Sequence, residues 1–150
     1  MKKRHLKWIG AAAAICIVGL TLAGAADNSE TGAVKNLLEK RTVVMENVLF
    51  GKITYDEGKS QLSQIEKDKL YNDDLEALSQ YEDTDLEAVR KMEIKKLEKK
   101  SRIYDIMTFD CQIEWTISGM EKIYKEVYEY QVGVDVNGGD YRLVSFELQQ

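Results

Sequence analysis

The chain contains no proline, one histidine and two cysteines in 150 residues. Each scarcity closes off a class of mechanism. The histidine is His5, inside the N-terminal basic and apolar segment, so the rest of the chain has none. That excludes Ser-His-Asp and Cys-His catalysis, zinc sites built on imidazole, and pH switching by imidazole. Cys16 lies in the same segment and leaves Cys111 alone downstream. A lone thiol forms neither an internal disulfide nor a four-thiolate zinc site, so the domain has to be stable from its core alone. Without proline there are no cis-proline turns and no polyproline ligands.

What is present first is an address. Lys2, Lys3, Arg4 and Lys7 precede WIGAAAAICIVGLTLAGAA, residues 8–26, which carries no charge. A basic start, an apolar run and then small residues form a secretory signal, and the leading cations keep that end in the cytoplasm. Ala23-Gly24-Ala25 is a small-x-small site, which favours cleavage between Ala25 and Ala26. The rival reading is a retained anchor. Nineteen residues at about 1.5 Å each span about 28 Å, close to the roughly 30 Å of a hydrocarbon core. Trp8 sits where an interfacial aromatic would, but ten of the nineteen residues are Ala or Gly, so insertion is only weakly favourable. Cys16 follows Ile15, where a lipoprotein site wants a small residue, and reads as one more apolar residue of the run.

The sequence therefore divides into residues 1–25 (signal peptide or membrane anchor), a short polar linker at 26–32, and a single domain at 33–150. Removing the four leading cations moves the net charge from −5 to −9. A domain this acidic repels phosphate backbones, so nucleic acid is excluded as an expected partner.

Within the domain, Val34, Leu37, Leu38, Val44, Met45, Val48 and Leu49 recur at helical spacing, and Gly51 is placed to stop the helix. Thr54 and Glu57 form a capping box for a second helix over about 55–70, with Leu62, Ile65 and Leu70 inward. Gly58 should weaken that helix by about 1 kcal/mol relative to Ala. Asn72-Asp73-Asp74 is read as the start of a short third helix, and Thr84 with Glu87 as another capping box. Residues 89–101 suit a helix by their Lys and Glu content, but Met92 and Ile94 alternate, which favours a strand.

After Arg102 the period becomes two. Met107, Phe109, Cys111, Ile113, Trp115 and Ile117 alternate with polar residues as a half-buried strand does. Gly119-Met120 supplies a turn. Tyr124, Tyr128, Tyr130, Val132, Val134 and Val136 share the next face, with Glu126 as a late start or a bulge. Val144, Phe146 and Leu148 share the last face. Keeping these faces together across Asn137-Gly138-Gly139 requires a three-residue or other odd loop, with a left-handed Gly. The fold class is α+β: N-terminal helices on one face of a three- to four-stranded antiparallel meander.

"FDCQIEWTI" followed by "YEYQVGVDVNGGDYRLVSFEL" resembles the closing strands of NTF2-like and cystatin-like domains. Such domains often end on G-x-aromatic-(R/K)-x-V-x-F, and Gly139 to Phe146 fits that form. The resemblance spans residues 103–148. It implies a helix-on-sheet fold, a pocket between helix and curved sheet, and a non-catalytic place in a secreted or membrane-associated bacterial assembly. Enzymatic members often use a His or Asp in the pocket, and no inward-facing Asp stands out here.

Four constellations invite a site, each with a plainer explanation. Asp135 to Asp140 spaces oxygens as calcium loops do, but lacks the closing Glu, and a hairpin turn uses the same residues. Glu82, Asp83 and Asp85 could serve a carboxylate-dependent hydrolase, but solvated helix capping explains them. Arg90, Lys91, Lys95, Lys96, Lys99, Lys100 and Arg102 form a basic stretch of net charge +5 with Glu93 and Glu98. It could contact an anionic membrane surface or wall polymer, could pair with the acidic tract 68–87, or could be a solvated face. Tyr104, Tyr124, Tyr128, Tyr130 and Tyr141 could line a sugar or peptide groove, but alternation assigns most of them to the core. Cys111 shares a face with Trp115 and Phe109 and reads as a buried, inert thiol.

The expectation is an extracytoplasmic protein, secreted or tethered by residues 8–26, with no cofactor and no catalytic residues. Its function is expected to be binding or assembly, with another envelope or membrane protein as partner. The alternative is a secreted regulator that captures a peptide along its last strand.

Overall fold

The computed structural model describes residues 29–80, 88–119 and 122–150. Three helices, α1 (Glu30–Leu49), α2 (Tyr55–Leu62) and α3 (Asp68–Ser79), precede four strands. The strands are β1 (Ala88–Ile103), β2 (Ile106–Ser118), β3 (Ile123–Asp135) and β4 (Arg142–Leu148). They form one antiparallel sheet in the order β1-β2-β3-β4. This is the α+β arrangement the two periodicities call for, and 88–103 is strand rather than helix.

Helix α1 starts where Ser29 accepts from the Gly32 N–H at 3.0 Å. Glu30 to Gly32 are therefore its first turn, not the end of a linker. Its buried stripe is Val34, Leu37, Leu38, Val44 and Met45, joined by the polar Arg41, Thr42 and Glu46. Gly51, at φ 65°, follows its end, in the left-handed conformation that glycine adopts at least cost. The Thr54–Glu57 capping box forms in both directions, at 2.7 and 3.2 Å.

The helix expected over 55–70 does not persist. It ends at Leu62, a turn follows over 63–65, and Glu66 forms a parallel bridge with Leu143. The Leu143 N–H donates to the Ile65 carbonyl, and the Lys67 N–H to the Leu143 carbonyl, both at 2.9 Å. A continuous helix would consume these backbone groups and leave this part of β4 unpaired. Helix α3 then begins at Asp68, so Asn72-Asp73-Asp74 lie inside it rather than at its start. The capping box at Thr84 and Glu87 lies outside the described residues.

On β2 the expected alternation holds: Met107, Phe109, Ile113, Trp115 and Ile117 are fully buried, with Cys111 beside them. β2 and β3 pair without interruption from Ser118↔Ile123 to Ile106↔Asp135. Glu126 therefore marks neither a late start nor a bulge. It keeps its place opposite Trp115 and accepts from the Tyr128 hydroxyl. The bend between β2 and β3 lies beyond Gly119, whose N–H bonds the Lys122 carbonyl at 2.9 Å. Met120 lies outside the described residues.

β1 carries three register shifts, at Val89/Lys91, Ile94/Lys96 and Lys99/Ser101. They bring Val89, Met92, Ile94, Leu97, Lys99 and Arg102 opposite the inward residues of β2, although their spacing alternates between two and three. Arg90, Lys95 and Lys100 are the unpaired bulge residues. Bulges and lysines together blunt a sixteen-residue edge against pairing with other chains.

The β3–β4 connection corrects the loop expectation. Asp135 pairs with Arg142, so residues 136–141 make an even loop, with a 3-10 turn at Asn137–Gly139. Gly138 and Gly139 are left-handed, at φ 68° and 86°. Val134 faces Leu143, and the register then shifts at Val144, so that Val132 faces Phe146. The fully buried residue is Leu143 rather than Val144. The bulge sits in the strand because Leu143 must both fill the core and bind residues 65–67.

Candidate functional site

The most heavily charged interior feature was not legible in the sequence. Arg41 of α1 donates through Nε and Nη2 to the two carboxylate oxygens of Asp74 on α3, each at 2.7 Å. Glu66, in the segment between α2 and α3, brings Oε2 to 3.3 Å from Arg41 Nε without hydrogen-bond alignment. The Arg41 guanidinium also lies 4.9 Å over the Phe146 ring. Phe146 stacks on Tyr130 at 4.3 Å, and Tyr130 meets Trp115 edge-on at 6.4 Å. The Trp115 Nε1–H donates to the Tyr130 hydroxyl at 2.9 Å. One chain of contacts thus joins α3, α1, β4, β3 and β2.

Two carboxylates face one cation here. Burial, helped by the charge of Asp74 and opposed by Arg41, pushes the Glu66 carboxyl up to about 8. Glu66 is therefore largely protonated at neutral pH. A perturbed carboxyl often marks catalysis, but it must also reach a substrate. Glu66 is 1% exposed, and Arg41 and Asp74 are buried as well. The only sequence signal for this cluster was a charged residue, Arg41, on the apolar stripe of α1.

The basic stretch is dispersed, and six of its seven cations pair with nearby carboxylates. Lys91 and Lys95 both reach Glu93, at 2.9 Å, and these two contacts pull the Glu93 carboxyl down to about 2. Lys96 pairs with Glu98 at 3.1 Å and Lys100 with Asp110 at 3.1 Å. Lys99 and Arg102, on the opposite face, reach Glu30 at 2.6 and 3.7 Å. Arg90 reaches the Ser118 hydroxyl at 3.4 Å. These acids come from α1, β1 and β2. In the described part of the acidic tract, Asp73 pairs with Lys69 and Asp74 with Arg41 instead.

The other candidates resolve as follows. The Asp135 carboxylate accepts from the Asn137 N–H at 2.8 Å and pairs with Lys67, which is hairpin-turn chemistry. Among the described residues no group of three or more potential ligands is placed to hold a metal ion. Cys111 is buried, and desolvation raises its thiol to about 12, so it is an inert core residue. Glu82, Asp83 and Asp85, and the cleavage residues Ala23, Ala25 and Ala26, lie outside the described residues. So does the 8–26 run; among the described residues no helix is long and apolar enough to cross a membrane. A shallow groove of about 300 Å³ opens beside Lys96, Asp110, Gln112, Glu129 and Gln149, a lining of mixed charge.

One surface feature stands apart. The β1–β2 hairpin turns at Tyr104-Asp105, leaving Ile103 67%, Tyr104 92% and Ile106 38% exposed. Tyr104 adopts φ 53°, a left-handed conformation disfavoured for residues with a side chain. The other sheet tyrosines, Tyr124, Tyr128, Tyr130 and Tyr141, pack in or against the core. Tyr104 does not.

Comparison of the chain with family models, curated proteins and solved structures gave no match.

Proposed function

We propose that this chain is a non-catalytic binding or assembly domain on the outer face of a bacterial membrane, with another envelope or membrane protein as its partner. The observation that carries this reading is the sealing of its reactive groups. Glu66 is enclosed by Arg41 and Asp74, and the Cys111 thiol lies in the core. Both serve packing where they stand. Residues 1–26 supply the address: four cations, an uncharged run and a small-x-small site.

The resemblance to NTF2-like and cystatin-like domains is supported by a long helix lying before a four-stranded meander. A peptide added along β4 has less support, because residues 65–67 already pair with that strand at Leu143.

Intact mass of the native protein in membrane and medium fractions tests the address. A mass beginning at Met1 in the membrane supports tethering. A mass beginning at Ala26 in the medium moves the protein to the secreted class. Crosslinking of intact cells followed by purification should then recover a membrane-protein partner; recovery of the domain alone, with turnover of a wall polymer by the pure protein, would overturn the non-catalytic reading.

A further inference from the structure

We infer that the Ile103-Tyr104-Asp105-Ile106 tip of the β1–β2 hairpin rests in the interface of the same lipid bilayer that holds the N-terminal segment. The inference rests on the tethered form of the proposed function.

Two independent observations meet at this end of the molecule. The first is the tip itself. Ile103, Tyr104 and Ile106 are exposed side by side, and a tyrosine with an apolar body and a polar hydroxyl suits a headgroup boundary. Glycine or asparagine would occupy the left-handed Tyr104 position with less strain, yet an aromatic stands there almost fully exposed. The second is where the chain enters the domain. Glu30 opens α1 and pairs with Lys99 and Arg102, four and one residues before Ile103. The uncharged run ends at Ala26, four residues before Glu30. Four residues reach at most about 14 Å. A segment held in a bilayer through Ala26 therefore brings the membrane surface to the hairpin tip.

The contact is apolar rather than electrostatic. Lys99, Lys100 and Arg102 collar the tip, but Glu30 and Asp110 already pair with them. Binding should therefore depend little on anionic lipid. The opposite end of β1, sixteen residues away, lies about 50 Å from the tip and should stay in water.

The test uses the full chain with Cys16→Ser, reconstituted in phosphatidylcholine vesicles with or without phosphatidylglycerol. An environment-sensitive fluorophore is placed at Asn137→Cys, which leaves the tip native. Asn137 follows Val136, whose N–H donates to the Asp105 carbonyl at 2.8 Å. A second variant carries the fluorophore at Lys122→Cys, at the far end of the sheet. Quenching lipids should cut emission at position 137 by about two-fold or more, in both lipid mixtures, and leave position 122 unchanged. Tyr104→Gly should weaken the quenching at 137 while the urea midpoint holds or rises, since glycine relieves the backbone.

Equal quenching at both positions, or quenching undiminished by Tyr104→Gly, overturns the inference. So does a blue shift at 137 that depends on protein concentration and not on quencher, which would mark contact with a second copy. Failure of the tether appears separately, as a native mass beginning at Ala26.

Discussion

Arg41 holds both carboxylate oxygens of Asp74 at 2.7 Å, and both residues are buried. In water such a pair is worth little, whereas in the core its integrity decides whether a charge is stranded. Arg41→Ala leaves Asp74 without its partner and should cost about 3–5 kcal/mol in urea unfolding. Arg41→Met combined with Asp74→Leu should recover most of that loss. Equal destabilisation by the single and double variants would show that the pair is not the unit that matters.

Glu66 makes stability fall with rising pH. Its carboxyl titrates near 8 when folded, against 4.5 for the free group, so the native state binds the proton more tightly. That stabilisation is complete below 4.5 and is lost as pH rises through about 8. The slope is at most about 1.4 kcal/mol per pH unit. Glu66→Gln should flatten the profile between these values and exceed the parent in stability at alkaline pH. An unchanged slope in the variant would assign the effect elsewhere.

Gly58 inverts its ordinary helix arithmetic. A helical Gly→Ala change stabilises by about 1 kcal/mol on propensity alone. A Cβ at Gly58, however, would collide with the Val48 Cγ2 methyl of α1. Gly58→Ala should therefore destabilise by about 1–3 kcal/mol, and adding Val48→Ala should recover part of it. Thermal melts of the parent and the two variants check the sign.

Tyr130→Phe removes the acceptor for the fully buried Trp115 indole N–H. An orphaned buried donor costs about 1–3 kcal/mol. Urea titration should show that loss with the fold retained, whereas Tyr128→Phe, on a half-buried ring, should cost less.

The strand register illustrates what a pattern can miss. Alternation on β2 was legible because every second residue of that strand is buried and β2 lies between two partners. On β1 and β4 the bulges break the period. Val89, Met92, Ile94 and Leu97 read as neither helix nor clean strand, although they share one face. By alternation Val144 belongs with Phe146 and Leu148, but the shift at 144 hands its core place to Leu143. Likewise, Ile65 and Leu70 continue a helical stripe, and only the hydrogen bonds to Leu143 explain why the helix stops at Leu62.

Local chemistry is decided within a few residues. The sequence alone was therefore sufficient for the Thr54–Glu57 box, the Gly51 stop, the β2 alternation, the buried Cys111 and the α+β order. Everything that depends on residues far apart was left to the tertiary structure. Arg41, Glu66 and Asp74 come from three separate segments, and no spacing rule brings them together. The acids that pair with the basic stretch come from α1 and β2 as well as from β1 itself. The same holds for Glu30 and Tyr104, which share one end of the molecule only because α1 begins beside the last residues of β1. Periodicity encodes which face of an element is apolar; which faces and ends meet is set by packing and by the pairing of buried charge and backbone.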